Sequence, residues 1–502
     1  YMGQELELIL ENIDKNSLAV KNIQQSDKFE FEYEETYRPA YHFTPQYGWM
    51  NDPNGMVYYD GEYHLFFQHN PYGNRWQNMH WGHAVSTDLI SWTYLPNRIK
   101  PDSLGTIFSG SAIIDEHNTA GFGENALIAI YTNAGKKQTQ SIAYSNDRGR
   151  SFTKYEGNPV LSNPDIPDFR DPKVMWHKET SQWIMSLATK QTITFYGSPN
   201  LKEWTKLSEF GEGIGNHDGV WECPDLFPLT YKDKTKWVLI VSINPGGPNQ
   251  GSASQYFIGD FDGVTFTADP LPYPLWLDYG RDNYAGVTWS NIPASDGRRI
   301  FIGWMSNWDY ANDVPTHNFR SAMTTPRELK LSDNGEHMIV ASYPIEEIKR
   351  LRGGEITVEN QNVTENLVAY EMNDNGKRIF EIEMTLKPGD SKEFGFSLSN
   401  KDGENIKFIF DLNDKSTKAD RRESGLVSFS DKFPSVSISP LTVNKEYKVK
   451  LLLDKASSEL FVNDGDIVQT NIHFPTAPYN ILSLFSKDSE LKAENIKIYE
   501  LN

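Results

Sequence analysis

Three acidic residues stand at matching places in the sequence: Asp52 in Asn51-Asp52-Pro53, Asp171 in Arg170-Asp171-Pro172 and Glu222 in Glu222-Cys223-Pro224. Each lies one or two residues before a proline, just ahead of an apolar run. A single such tripeptide says little, because Asp-Pro and Glu-x-Pro open strands and turns by themselves. Three at equivalent points of a repeat describe carboxylates that converge. Clustered carboxylates repel and resist burial, so a fold seldom collects them for structure alone. Glycoside hydrolysis needs such a set: one carboxylate to attack or stabilise, and one protonated acid for the leaving oxygen. Arg170 is expected to keep its neighbour Asp171 ionised. Trp221 and Cys223 are expected to give Glu222 less polar surroundings, as suits a general acid.

Aromatic and polar residues gather near the same places: Trp49, then Trp76 and Trp81 in GNRWQNMHWGHA (73–84), IFSGS (107–111) and GWMSNW (303–308). Sugars present flat C–H faces that pack on rings and hydroxyls that need amide, hydroxyl and carboxylate partners. Any one of these tryptophans serves a blade core equally well. His80 and His83 read as packed or hydrogen-bonded side chains, since two imidazoles without further ligands nearby do not make a metal site.

Such a site needs strands that bring distant residues together, and the sequence supplies a repeat. Hairpin-like units run over 56–68, 111–134, 173–188, 226–242 and 286–305. Polar turns closed by an aromatic residue follow several of them: STDLISW (86–92), SNDRGRSF (145–152), SPNLKEW (198–204) and GDFDGVTF (259–266). Copies recur about every 50–60 residues, the size of one four-stranded propeller blade. Five units predict an all-β, five-bladed propeller whose innermost strands line a central channel. After about residue 345 the pattern changes. The last tryptophan is Trp308, and short alternating strands separated by Asn/Asp-Gly turns predict a β-sandwich. The acidic residues 1–37 read as an N-terminal extension, with 6–15 the one candidate helix.

The net charge of −20 disfavours nucleic acid and acidic polymers, whereas a neutral sugar carries no such penalty. No run approaches the roughly 20 apolar residues of a membrane span. The single cysteine, Cys223, excludes an intrachain disulfide. The chain starts at Tyr1 rather than Met, which fits a processed product. Nothing in the sequence fixes an oligomeric state.

WMNDPNG (49–55), FFQHNP (66–71), HWGHA (80–84), FSGS (108–111), RDP (170–172) and ECPD (222–225), in this order, resemble the signature blocks of glycoside hydrolase family 32. DYGRDNYAGVTW (278–289) and GWMSNW resemble later blocks. The resemblance implies a catalytic propeller over 38–340 and a β-sandwich over 350–502. It implies retention, with Asp52 as nucleophile, Glu222 as acid/base and Asp171 as transition-state stabiliser. The Asp52 and Glu222 carboxyls would then stand roughly 5–5.5 Å apart. Asn51, Gln68, Trp76, Ser111, Arg170 and Trp304 are expected to bind the terminal fructose, with Trp308 and Asp278 as further candidates. No metal or organic cofactor is implied.

The block GWMSNWDYANDVPTHNFRSAMTTPRELKL (303–331) looks most like exo-acting fructanases that release fructose from levan or inulin and also cut sucrose. Such substrates lie outside cells, which predicts export. Endo action, sucrose-specific hydrolysis and transfer to sugar acceptors stay open. So do two rival classes: an inverting propeller hydrolase of arabinan or xylan, and a non-catalytic carbohydrate-binding propeller. The sandwich is expected to buttress the propeller rather than to bind polymer.

Overall fold

The computed structural model describes residues 33–372 and 379–502; the candidate helix at 6–15 lies outside the described residues. The described chain is built almost wholly of strands, in two architectures that follow one another.

Five sheets come first, antiparallel except that Gly48–Tyr59 also pairs in parallel with the short strand Phe319–Arg320. Their innermost strands are Gly48–Tyr59, Thr106–Asp115, Phe169–His177, Val220–Tyr231 and Tyr284–Thr288. Each packs on the innermost strand of the next sheet, and the fifth packs on the first, so the five sheets close into a ring. Ser290 completes the closure: its amide donates to the Met56 carbonyl at 3.0 Å and its carbonyl accepts from the Tyr58 amide at 2.9 Å. The architecture is therefore a five-bladed propeller. The hairpins read from the sequence are the first two strands of each blade, such as Gly48–Tyr59 with Glu62–Asn70.

The aromatic-closed turns join the third and fourth strands of blades 1 to 4. Each is held by a side chain that accepts amides two to four residues further on: Asp88 from Ile90 and Ser91, Asp147 from Ser151, Asn200 from Lys202 and Glu203, and Asp262 from Val264 and Thr265. Short acidic and amide side chains favour this turn geometry, which explains why the same motif recurs blade after blade.

The second architecture is a sandwich of two antiparallel sheets between Arg352 and Leu501. Alternating burial along strands such as Asn405–Asp411 sends Ile406, Phe408 and Phe410 inward, where they meet Phe394, Phe396, Leu451 and Leu484 from both sheets.

Propeller and sandwich share a buried charged seam. His42 bonds Asp454 and Glu459, each at 2.7 Å. Arg327 donates to Asp278 at 2.8 Å and also to Glu459 and Thr470. Arg421 of the sandwich donates to Asp282 at 2.5 Å and to the Tyr310 hydroxyl at 2.8 Å. Asp278 and Asp282 of the DYGRDNY block thus serve this seam. Asp278 was a candidate sugar ligand, but its carboxylate is taken up by Arg327, Gly280, Asn283 and Thr470.

Candidate active site

In every blade the innermost strand carries a β-bulge at the same point. Pairing with the second strand skips two residues in each case: Asn51 and Asp52, Phe108 and Ser109, Asp171 and Pro172, Cys223 and Pro224, Ala285 and Gly286. A bulge bends its strand and re-aims side chains. The first bulged residue takes a left-handed conformation at Asp171 (φ 63°), Cys223 (φ 46°) and Ala285 (φ 53°). Such a conformation costs a non-glycine residue energy that neighbouring packing must offset.

The bulge also corrects the alignment drawn from proline positions. Glu222 is the last paired residue before its bulge, Asp171 is the first bulged residue and Asp52 is the second. The three acids occupy three successive levels of the channel mouth. Residues on one level touch their equivalents in adjacent blades. On the outermost level Arg170 donates to Glu222 Oε1 through Nε at 3.1 Å and Nη2 at 3.0 Å, and the Tyr284 hydroxyl donates to Glu222 Oε2. On the next, the Cys223 amide donates to Asp171 Oδ2 at 3.0 Å. On the third, Ser109 Oγ donates to Asp52 Oδ2 at 2.6 Å. Cys223 Sγ bridges the levels, 3.6 Å from both Asp52 Oδ2 and Asp171 Oδ2.

These residues enclose a pocket of about 290 Å³, lined by Asn51, Asp52, Gln68, Trp76, Phe108, Ser109, Arg170, Asp171, Glu222, Asn244 and Trp308. Asn51 is fixed between Trp49 Nε1, which donates to it at 2.8 Å, and Asp52 Oδ1, to which it donates at 3.0 Å. Gln68 lies opposite the first bulge, and its Nε2 is buried with no protein partner, free for a ligand hydroxyl. Trp76 and Trp308 meet edge to face with centroids 6.3 Å apart and form an aromatic wall with Phe108.

Two expected sugar ligands fall outside this lining. Ser111 lies two residues beyond the bulge, where its Oγ accepts the Val174 amide at 3.0 Å. The bulge turns Ser109 of the same FSGS block to the pocket instead. Trp304 is fully buried and packs under Trp49 and Trp308 with centroids 5.9 and 4.9 Å away. It supports the wall without forming it. His80 and His83 have protein partners, the Asn78 carbonyl at 2.6 Å and His64 at 3.0 Å. Sequence reasoning missed Phe108, Ser109, Asn244 and Tyr284. The FSGS block held Phe108 and Ser109, and the DYGRDNYAGVTW block held Tyr284; Asn244 lay in no block.

The electrostatics differ from the expectation for two acids. Burial raises Asp171 to about 7; the Arg170 charge opposes this, while Glu222 and Asp52 add to it. The Arg170 guanidinium is turned toward Glu222 and Asp168, so proximity in sequence does not become a bond to Asp171. Glu222 sits between that guanidinium and the Tyr284 hydroxyl, a polar rather than an apolar setting. Burial and then the Glu222 charge raise Asp52 to about 6, against the hydrogen bonds from Ser109, Asn51 and Cys223.

A propeller that gathers three carboxylates and an aromatic wall at the mouth of its channel is built as a glycoside hydrolase. The chain belongs to glycosyl hydrolase family 32: residues 42–342 match the family's N-terminal domain and residues 347–500 its C-terminal domain. It is 47% identical over 484 residues to a levanase of Bacillus subtilis, covering 93% of this chain and 71% of that one. It is 37% identical over 496 residues to an extracellular exo-inulinase of Aspergillus awamori, covering 89% and 91%. Among solved structures, exo-inulinase from Aspergillus awamori superposes with a TM-score of 0.86 at 34% identity, over 94% of this chain and 99% of that one. Fructofuranosidase from Schwanniomyces occidentalis, complexed with fructose, superposes at 0.85 with 33% identity, over 94% and 100%.

Proposed function

We propose that this hydrolase cleaves β-fructofuranosyl linkages of fructans and sucrose with retention, through a fructosyl-enzyme intermediate. The convergence of Asp52, Asp171 and Glu222 in one pocket carries the reading. Asp52 attacks the anomeric carbon of the bound fructose as the bond to the leaving oxygen breaks. Glu222 gives its proton to that oxygen, then takes one from the water that releases fructose. Asp171 accepts hydrogen bonds from ring hydroxyls and strengthens them as positive charge develops. Arg170, Asn51 and Gln68 hold further hydroxyls, and Trp76 carries a ring face.

Exo action is favoured by size. The pocket, about 290 Å³, lies at the low end of ligand pockets, roughly 300–1,000 Å³. It suits one terminal sugar better than the middle of a chain. Two relatives act on fructans by name, and one is named extracellular. A polymer too large to enter a cell calls for export of this protein as well.

The test is a product profile over time on levan, inulin, sucrose and arabinan. Fructose alone from levan or inulin is the expected result, and the faster polymer identifies the preferred linkage. A ladder of oligosaccharides would replace exo with endo action. Arabinose from arabinan, or no product from any fructan, would overturn the substrate assignment.

A further inference from the structure

The innermost strand of blade 1 begins at the pocket mouth, the second strand ends there and the third begins there. The segments that meet at this face, Tyr47 and the loop 71–79, carry three of the most exposed aromatic side chains among the described residues: Trp76 at 43%, Tyr47 at 41% and Tyr72 at 76%. Trp76 belongs to the pocket wall. The two tyrosines lie further out along the blade. Tyr47 packs on His69 with centroids 5.5 Å apart, and Tyr72 packs on His80 at 5.7 Å. His69 and His80 are themselves a cross-strand pair, so the two rings stand side by side. Burial and the neighbouring Tyr72 hydroxyl push the Tyr47 hydroxyl above its ordinary range.

This exposure is built in rather than incidental. Asn70 accepts the Tyr72 amide at 3.1 Å and donates to the Arg75 carbonyl at 2.9 Å. The Gly73 carbonyl accepts the Trp49 amide at 2.9 Å. Asn74 and the Trp76 amide are tied across to His317 and Asn312. A pinned loop that holds large rings in water forgoes apolar burial, and such rings mark binding surfaces.

We propose that Tyr47 and Tyr72 form a platform for the fructan units on the leaving-group side of the bond being cut. The inference rests on the fructan reading above. A pocket with room for one terminal sugar sends the rest of the chain out through its mouth, and Trp76 on its rim shares the loop 71–79 with Tyr72, which stands beside Tyr47. The polymer is neutral, so the −20 charge of the protein does not oppose it.

The test compares wild type, the Tyr47→Ala/Tyr72→Ala double variant and Tyr72→Phe on levan, inulin and sucrose. Sucrose is too short to reach the platform and also reports whether the variants fold. In the double variant the ratio of kcat/KM on the preferred polymer to kcat/KM on sucrose should fall about tenfold, mostly through KM, and Tyr72→Phe should keep most of the wild-type ratio. In parallel, migration of an Asp52→Asn background through gels cast with the same polymer should be retarded, and removing both tyrosines should abolish the retardation. An unchanged ratio, an equal loss on sucrose or undiminished retardation would overturn the platform. Wild type inactive on both polymers but active on sucrose would overturn the fructan reading, and the platform with it.

Discussion

Asp52→Asn removes a negative charge that the fold holds at a cost. The Asp52 pKa rises from 3.8 to about 6, first through burial and then through repulsion from Glu222. The native state therefore binds this proton more tightly than the unfolded chain does. Its stabilising contribution is fully present below about pH 3.8 and is lost as pH rises through about 6. Two pK units correspond to about 3 kcal/mol, an upper bound because the pocket side of the carboxyl meets water. The asparagine variant has no such titration. Its stability relative to wild type should climb by up to about 3 kcal/mol between pH 4 and pH 7, while kcat falls by about a hundredfold or more. Thermal unfolding of both proteins across that range, without substrate, measures the difference directly. A wild-type-to-variant difference that stays constant from pH 4 to pH 7 would refute the electrostatic argument. Undiminished kcat would refute the nucleophile. In wild type, kcat/KM should fall as pH drops from about 7 through about 6, as Asp171 and then Asp52 take their protons.

Glu222→Gln should lower kcat on fructans by about a hundredfold or more, with a smaller loss on a substrate whose leaving group needs no proton; equal losses on both would speak against a general acid. Asp171→Asn should reduce kcat more than it raises KM, since its hydrogen bonds matter most in the transition state; an effect confined to KM would make it a binding residue only. Glu459→Gln should destabilise the whole described chain by about 3 kcal/mol, because it leaves the buried His42 and Arg327 with one carboxylate each, Asp454 and Asp278, where each had two. Arg327 and His42 draw Glu459 down to about 2, against burial. The wild-type advantage should thus be full above about pH 4.5 and narrow as pH falls toward 2, read by denaturant unfolding at pH 5 and pH 3. No narrowing would show that the seam does not depend on that charge.

The repeat was legible because each blade needs the same turn, and only a few residue types make it. Asp88, Asp147, Asn200 and Asp262 mark four of the five blades by residue type and position alone. The sandwich was legible through strict alternation, as along Asn405–Asp411. Less could be read of the pocket. Ser111 and Ser109 share a block and a residue type, and only the bulge decides which of them faces the pocket. Bulges leave no sequence mark here beyond the occasional proline or glycine. Tyr284 reaches Glu222 from another blade, a contact that no local pattern encodes. The charge of Arg170 was visible, but the direction of its guanidinium depends on where Glu222 and Asp168 lie in space.

The proposed division of labour among the acids follows from their levels in the channel. All five innermost strands run from the mouth inward, and all are interrupted at the same point. Glu222, one level nearer the strand start than Asp171 and two nearer than Asp52, stands at the outermost level, where the proposed mechanism needs a group to meet the leaving oxygen and then water. Its neighbours on that level, Arg170 and Tyr284, are hydrogen-bond donors and hold both of its oxygens in place. Asp52, on the innermost of the three levels, faces neutral donors, Asn51 and Ser109, which orient a carboxylate without neutralising it. An attacking group needs that combination, because a full cationic partner would stabilise the charge it must share with the anomeric carbon. Asp171 lies between the two, with Cys223 donating from one side, at the level where the proposed mechanism places the hydroxyls of the bound ring. One bulge repeated five times, with the acid displaced by a single position among the three blades that carry one, is enough to give three carboxylates the three different settings that the proposed mechanism uses.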